Sequence, residues 1–137
     1  MRSIVYILLI FTFTTAVLSQ PNWKYCQGAD GSTISIDSIV VQPYPVRKGY
    51  PLKFTAKGTA VKGMTQRNGR IGIVINGSEI ISALVGGSVN VDAGKPYSWS
   101  FSYSVPSNIP PGSYDINVSM MDTDFNRLTC VSWSQTF

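Results

Sequence analysis

The chain has 137 residues with 11 basic and 7 acidic side chains, no histidine, two cysteines and a formal net charge of +4. Without histidine it can build no Ser-His-Asp or Cys-His nucleophile and no histidine-ligated metal centre. Of its carboxylates only Asp122 and Asp124 lie close together, beside Asn126 in a turn-like segment without the glycine and distal glutamate of a calcium-binding loop. Gly86-Gly87 is followed by no helix signal, so nothing cradles a phosphate. These exclusions argue against an enzyme and against a cofactor or metal requirement.

Met1-Arg2 precedes an apolar run, Ile4 to Phe13, and then small residues. With Val17 and Ser19 at the minus-three and minus-one places, residues 1–19 read as a signal peptide cleaved before Gln20. The run is too short to span a bilayer. Residues 20–137 are then one exported domain with one core. In that compartment Cys26 and Cys130 read as a disulfide closing a loop of roughly 100 residues, contributing about 2–5 kcal/mol. Asn76-Gly77-Ser78 and Asn117-Val118-Ser119 are N-glycosylation sequons.

Ile34 and Ile36 begin a strand that Ile39 and Val41 continue with the parity changed, which predicts a bulge. Pro43-Tyr44-Pro45 ends it. Leu52, Phe54, Ala56 and Gly58 form one face of the next strand, with Lys53, Thr55 and Lys57 on the other. Ile71, Ile73 and Ile75 make another, stopped by the hairpin signal Asn76-Gly77. Glu79 to Val85 is apolar, and Val89 and Val91 add a short strand before Gly94-Lys95-Pro96. Tyr97, Trp99, Phe101, Tyr103 and Val105 alternate with serines up to Pro106. After the turn Ser107 to Gly112, Tyr114, Ile116, Val118 and Met120 alternate with polar residues, and Leu128 to Trp133 is the last strand. Period-two alternation with turn signals every eight to twelve residues or so, and no helical period, predicts an all-β sandwich. The two strong alternating faces suit a packed core or the lining of an apolar pocket, and pattern alone favours the core.

An ordered set of short marks resembles the ML lipid-recognition family, which includes lysosomal sterol-transfer proteins and phosphatidylglycerol/phosphatidylinositol transfer proteins. The marks are Trp23 and Cys26; Ile39-Val40-Val41-Gln42-Pro43-Tyr44-Pro45 followed by Gly49; Pro96-Tyr97; Val105-Pro106; Ile109-Pro110-Pro111-Gly112-Ser113-Tyr114; and Asp122 with Leu128-Thr129-Cys130. They run through essentially all of residues 20–137. The resemblance implies an immunoglobulin-like β-sandwich of two antiparallel sheets with an apolar cavity between them. It implies cavity walls at Phe54, Ile73, Trp99, Phe101, Tyr103, Ile116, Val118 and Met120. A mouth is implied at Ile81, Leu84, Val85, Ile109 and Pro110. Many members carry extra cysteines around the flap before the aromatic strand. Here Val85 to Asp92 has none, so a less restrained flap is expected.

Arg47, Lys48, Lys53, Lys57, Lys62, Arg67 and Arg70 form a basic run with no acid between Asp37 and Glu79. The run is either a docking face for anionic membranes or a solvated surface that maintains solubility. Nucleic acid is not expected as a partner, since the chain is exported and has no accompanying motif. The expected protein is a monomeric, secreted or endolysosomal lipid-binding and transfer protein for a sterol or phospholipid, making transient membrane contact. The alternative is an extracellular recognition or adhesion module with a solid core that binds protein or carbohydrate.

Overall fold

The computed structural model describes residues 20–137; the expected signal peptide, residues 1–19, lies outside them. Among the described residues every regular element is a strand: β1 Lys24–Tyr25, β2 Ile34–Gln42, β3 Pro51–Ala60, β4 Met64–Gln66, β5 Asn68–Ile75, β6 Ser78–Val85, β7 Val89–Val91, β8 Pro96–Ser104, β9 Ser113–Met121 and β10 Arg127–Thr136. They form a five-stranded sheet in the order β1-β10-β9-β5-β6, a three-stranded sheet β2-β3-β8, and a two-stranded pair β4-β7. All pairings are antiparallel. The immunoglobulin-like sandwich is therefore present, with two short strands, β1 and β4, that the sequence pattern had not marked.

Local chemistry explains the elements. In β2 the register slips between Ile36 and Ser38, so Ile34, Ile36, Ile39 and Val41 all face inward despite their change of parity. Asn76 and Gly77 both take positive φ, 50° and 77°, as a two-residue hairpin turn requires. A second slip, opposite Ile73/Val74, leaves Ile80 as an extra residue, 44% exposed. The slip keeps both Glu79 and Ser82 on the outer face, where each meets Arg70.

The core lies between the five- and three-stranded sheets. Phe54 is its centre, stacked on Phe101 at 5.0 Å and on Trp133 at 6.0 Å, with Trp99 edge-on at 6.0 Å. Aromatic pairs of this kind contribute about 0.5–1.5 kcal/mol each beyond area burial. The four rings come from β3, β8 and β10, so both sheets share one cluster.

The two long sides of the sandwich differ. On the side of β2 and β10, the Cys26–Cys130 disulfide ties the segment after β1 to β10. The free edge of β2 is satisfied by N-terminal side chains. Ile36 N–H donates to the Tyr25 hydroxyl at 3.0 Å and Val41 N–H to Gln20 Oε1 at 2.9 Å. On the other side β6 and β8 are likewise sheet edges without a shared ladder, as β1 and β2 are, but their contact is mainly apolar.

Because the bridge spans a sequence separation of 104 residues, its removal frees a long stretch of the denatured chain. Thiol labelling of the unfolded, unreduced protein should find no reactive cysteine. Reduction should lower stability by about 2–5 kcal/mol in chemical denaturation. Two labelled thiols would remove the staple on which the asymmetry of the sandwich rests.

Candidate functional site

The residues expected to wall a cavity come together on the inner faces. Phe54, Ile73, Trp99, Phe101, Ile116, Val118 and Met120 are all buried, and Tyr103 is half-buried. They belong to one buried cluster, with Val118, Met120 and Phe54 at 0% exposure. Trp133, absent from the expected set, belongs with them. The alternation Val131, Trp133, Gln135 along β10 carries that signal.

The expected mouth is not one place. Ile81, Ala83 and Val85 point inward from β6, whereas Leu84 lies on the outer face, 62% exposed, opposite Arg70. Ile109 is buried at the far end of the sandwich and Pro110 is exposed there. The Tyr114 hydroxyl donates to the Pro110 carbonyl, and Lys48 Nζ donates to the Ile109 carbonyl at 3.1 Å. Leu84 is level with Ser119 through Arg70, five residues along β9 from Tyr114. At about 3.4 Å per residue this sets the two parts roughly 17 Å apart. The error came from treating the apolar run Ile80 to Val85 as one patch; a strand sends alternate residues to opposite faces.

What the structure places at the unladdered side is a seam of half-buried apolar groups. Ile81 and Ala83 come from β6, Tyr103 from β8, Ile75 from β5, and Val89 and Val91 from β7. At one end of the seam Trp99 reaches across from β8. Its indole lies directly over Gly69 and Gly86, where a Cβ would overlap the ring, and its Nε1 donates to the Gly87 carbonyl at 3.2 Å. The flap, which has no cysteine, touches the core through this tryptophan.

One polar pair sits inside the same end. The Tyr97 hydroxyl donates to Gln66 Oε1, with Tyr97 at 1% and Gln66 at 0% exposure. Met64 and Gln66 are the buried residues of β4, and their partners on β7 are Val91 and Val89. Gln66 Nε2 has no hydrogen-bond partner, nor do Trp133 Nε1 and Asn68 Oδ1. An unpaired buried polar group costs about 1–3 kcal/mol. Nothing in the three residues of β4 would have marked Gln66 from sequence.

The basic run does not make one face. Lys53 and Lys57 stand on the outer face of the three-stranded sheet, Arg70 on that of the five-stranded sheet in an ion pair with Glu79 at 2.8 Å, and Arg67 over the exposed Phe125 ring at 4.9 Å. The Arg70–Glu79 pair is solvent-exposed and adds about 0–1 kcal/mol. Two surface clefts lie on the outer face of the five-stranded sheet. One, of about 140 Å³, is lined by Arg70, Gly72, Glu79, Asn117, Ser119, Arg127 and Cys130. The other, of about 320 Å³, lies around Val74, Asn76, Gly77, Tyr114 and Asp115. Their polar linings suit water, not an acyl chain or a sterol ring.

Comparison with known proteins matches residues 20–137 to the family model described as the ML domain. A Dictyostelium discoideum protein named for phosphatidylglycerol/phosphatidylinositol transfer is 26% identical over 141 residues, covering 94% of this chain and 91% of that protein. Among solved structures, a Niemann-Pick type C2 protein from Japanese carpenter ant superposes with a TM-score of 0.61 at 12% identity, covering 83% of this chain and 97% of that one. Chicken MD-1 complexed with lipid IVa gives 0.54 at 12% identity, covering 84% and 88%. At these identities the two structures establish a shared fold.

Burial raises the pKa of the Tyr97 phenol above its usual range, and the hydrogen bond to Gln66 only partly opposes this. A folded-state pKa above the unfolded value of about 10 means the stabilisation is complete below pH 10 and is lost as pH rises beyond it. Denaturation midpoints should therefore fall above pH 10. Tyr97→Phe should flatten that decline, and it should remove the last-titrating phenol from the absorbance titration. An unchanged alkaline profile in Tyr97→Phe would contradict the assignment.

Proposed function

This chain belongs to the ML domain family, and on that footing we propose that it takes a lipid between its two sheets and carries it between membranes. The observation that carries the proposal is how the sandwich closes on its β6–β8 side. Among the described residues that side is held by apolar contact and two side-chain hydrogen bonds, Trp99 Nε1 to the Gly87 carbonyl and the Tyr97 hydroxyl to Gln66 Oε1, while Tyr25 and Gln20 bond the β2 edge and the Cys26–Cys130 bridge lies within the five-stranded sheet. Apolar contact is non-directional, so a lipid can replace it side by side without leaving polar groups unpaired. Each methylene of a tail withdrawn from water is stabilised by about 0.8 kcal/mol, which offsets the separation of Ile81, Ala83 and Tyr103 from their neighbours. The lipid's oily part then stands in for contacts the closed protein makes with itself.

The transfer name of the Dictyostelium relative and the lipid IVa bound by chicken MD-1 support this reading. So does the apolar run from Ile4 to Phe13, which, read as part of a signal peptide, suits a secreted or endolysosomal protein. The protein acts as a monomeric carrier and not as an enzyme, because transfer requires binding and release alone. Asn76 at the β5–β6 hairpin tip and Asn117 on the outer sheet face are positions where glycans would leave the interior undisturbed.

The packed state of the interior favours one rival, a recognition module with a solid core. The two readings separate on adjacent residues of β6. Ala83→Glu places a charge inward at the seam, where an apolar ligand would have to pass it. Leu84→Glu places the same charge outward. In vesicle-to-vesicle transfer of a fluorescent lipid, Ala83→Glu should slow transfer at least about tenfold and Leu84→Glu should leave it near wild type. Equal effects would move lipid entry away from the seam, and no transfer or co-purifying lipid in the wild type would favour the recognition module.

Membrane contact is proposed at the Ile109 end. The loops at 43–50 and 105–112 carry Arg47, Lys48 and the 60% exposed Tyr50, with no carboxylate in either. One basic residue near an anionic surface contributes about 1 kcal/mol, roughly fivefold in binding. Arg47→Gln should lower association with anionic vesicles by about that factor, and raised salt should slow transfer to them. Equal rates to neutral and anionic vesicles would assign these charges to solubility.

A further inference from the structure

We infer that Gln66, held by Tyr97, donates a hydrogen bond to an oxygen atom of the bound lipid at the Trp99 end of the seam. The inference rests on the lipid-carrier reading and adds to it a reader for one polar atom of the cargo.

The amide of Gln66 is fixed at one end only. Its Oε1 accepts from the Tyr97 hydroxyl, and its Nε2 lies buried with both hydrogens unpaired. Its surroundings are Met64 on the same strand, Val89 and Val91 across the β4–β7 pair, and Tyr97. Asn68 Oδ1, two residues on, is also buried without a partner. A buried amide with one half satisfied leaves a donor open to a partner that arrives with the cargo.

The chemistry limits that partner. Nε2 donates only, so the partner must accept. It is neutral, and no lysine or arginine is among the buried residues, so an ionised phosphate would enter without a counter-charge. The suitable group is an uncharged lipid oxygen. Two sources carry one at a boundary between polar and apolar parts, the ester carbonyl of a glycerolipid and the hydroxyl of a sterol. Gln66 sits where such a boundary belongs, since β4 and β7 extend the β5–β6 hairpin past Trp99 beyond the aromatic cluster. Tyr97 acts as a positioning residue, fixing which way the amide points.

The test uses the purified full domain and two lipid pairs, each differing in the oxygen alone. The first is diester against diether phosphatidylglycerol, and the second is cholesterol against its 3-deoxy analogue. Displacement of a fluorescent lipid gives the affinities. Wild type should bind the oxygen-bearing member of one pair at least about tenfold more tightly, and the pair that responds identifies the source. Gln66→Met, similar in length and without the amide, should bind both members alike while still taking up lipid. Should that variant fail to fold, the side-chain amide protons of wild-type Gln66 provide a second readout by NMR, expected to shift on loading with the responding lipid. Wild type that binds both members of each pair equally, a preference that survives in Gln66→Met, or amide signals unmoved by loading would each overturn the assignment and leave lipid carriage standing. Failure of the wild type to bind any of the four lipids would remove both.

Discussion

The fold depends on how its two long sides are closed. A sandwich of two antiparallel sheets has four edges, and each edge presents unpaired backbone groups that something must cover. Here β2 is covered by Tyr25 and Gln20 through hydrogen bonds, while the Cys26–Cys130 bridge anchors the segment after β1 to β10 within the facing sheet. The β6–β8 side closes through side chains, with the Trp99–Gly87 and Tyr97–Gln66 hydrogen bonds as its polar ties among the described residues. Directional bonds resist opening over short distances, and apolar contact is exchangeable for any other apolar contact. On the lipid-carrier reading, the apolar side is the one that a cargo can enter by exchange of contacts.

The interior is consistent with such exchange. Its aromatic cluster is shared between the sheets, so separating them on one side disturbs contacts that a hydrophobic guest can restore. The walls also include Met64 and Met120, whose unbranched side chains repack around guests of different outline. The polar exceptions are localised. Gln135 is satisfied within the protein, accepting from Val46 N–H and donating to the Thr136 carbonyl, whereas Gln66 is only half satisfied. That contrast separates a satisfied structural amide from one with an open donor.

The surface charge follows a different logic. A basic run of seven residues in sequence becomes, in three dimensions, groups on two sheet faces and at both ends of the domain. Strand alternation and turns scatter neighbouring residues, so linear charge density is a poor guide to a patch in a β protein. The loops that cap the Ile109 end keep Arg47, Lys48 and Tyr50 free of carboxylates, and they supply the one local basic and aromatic surface used in the functional reading.

Legible in the amino-acid sequence were all the strands but β1 and β4, the bulge in β2, the Asn76-Gly77 hairpin, the inward faces from Phe54 to Met120 and the disulfide pair. All of these are set by period-two burial, local turn stereochemistry or the count of cysteines, which are properties of short segments. It also supplied enough ordered marks to indicate the family. Which strands became the sheet edges emerged only with the tertiary structure. Leu84 and Val85 are adjacent in the chain yet face opposite ways, and Ile109 lies at the other end of the domain from them. Gln66 gained its meaning only when folding buried its amide against Tyr97 and left its nitrogen unpaired. Burial and pairing are relations between distant segments, and a local pattern carries no record of them.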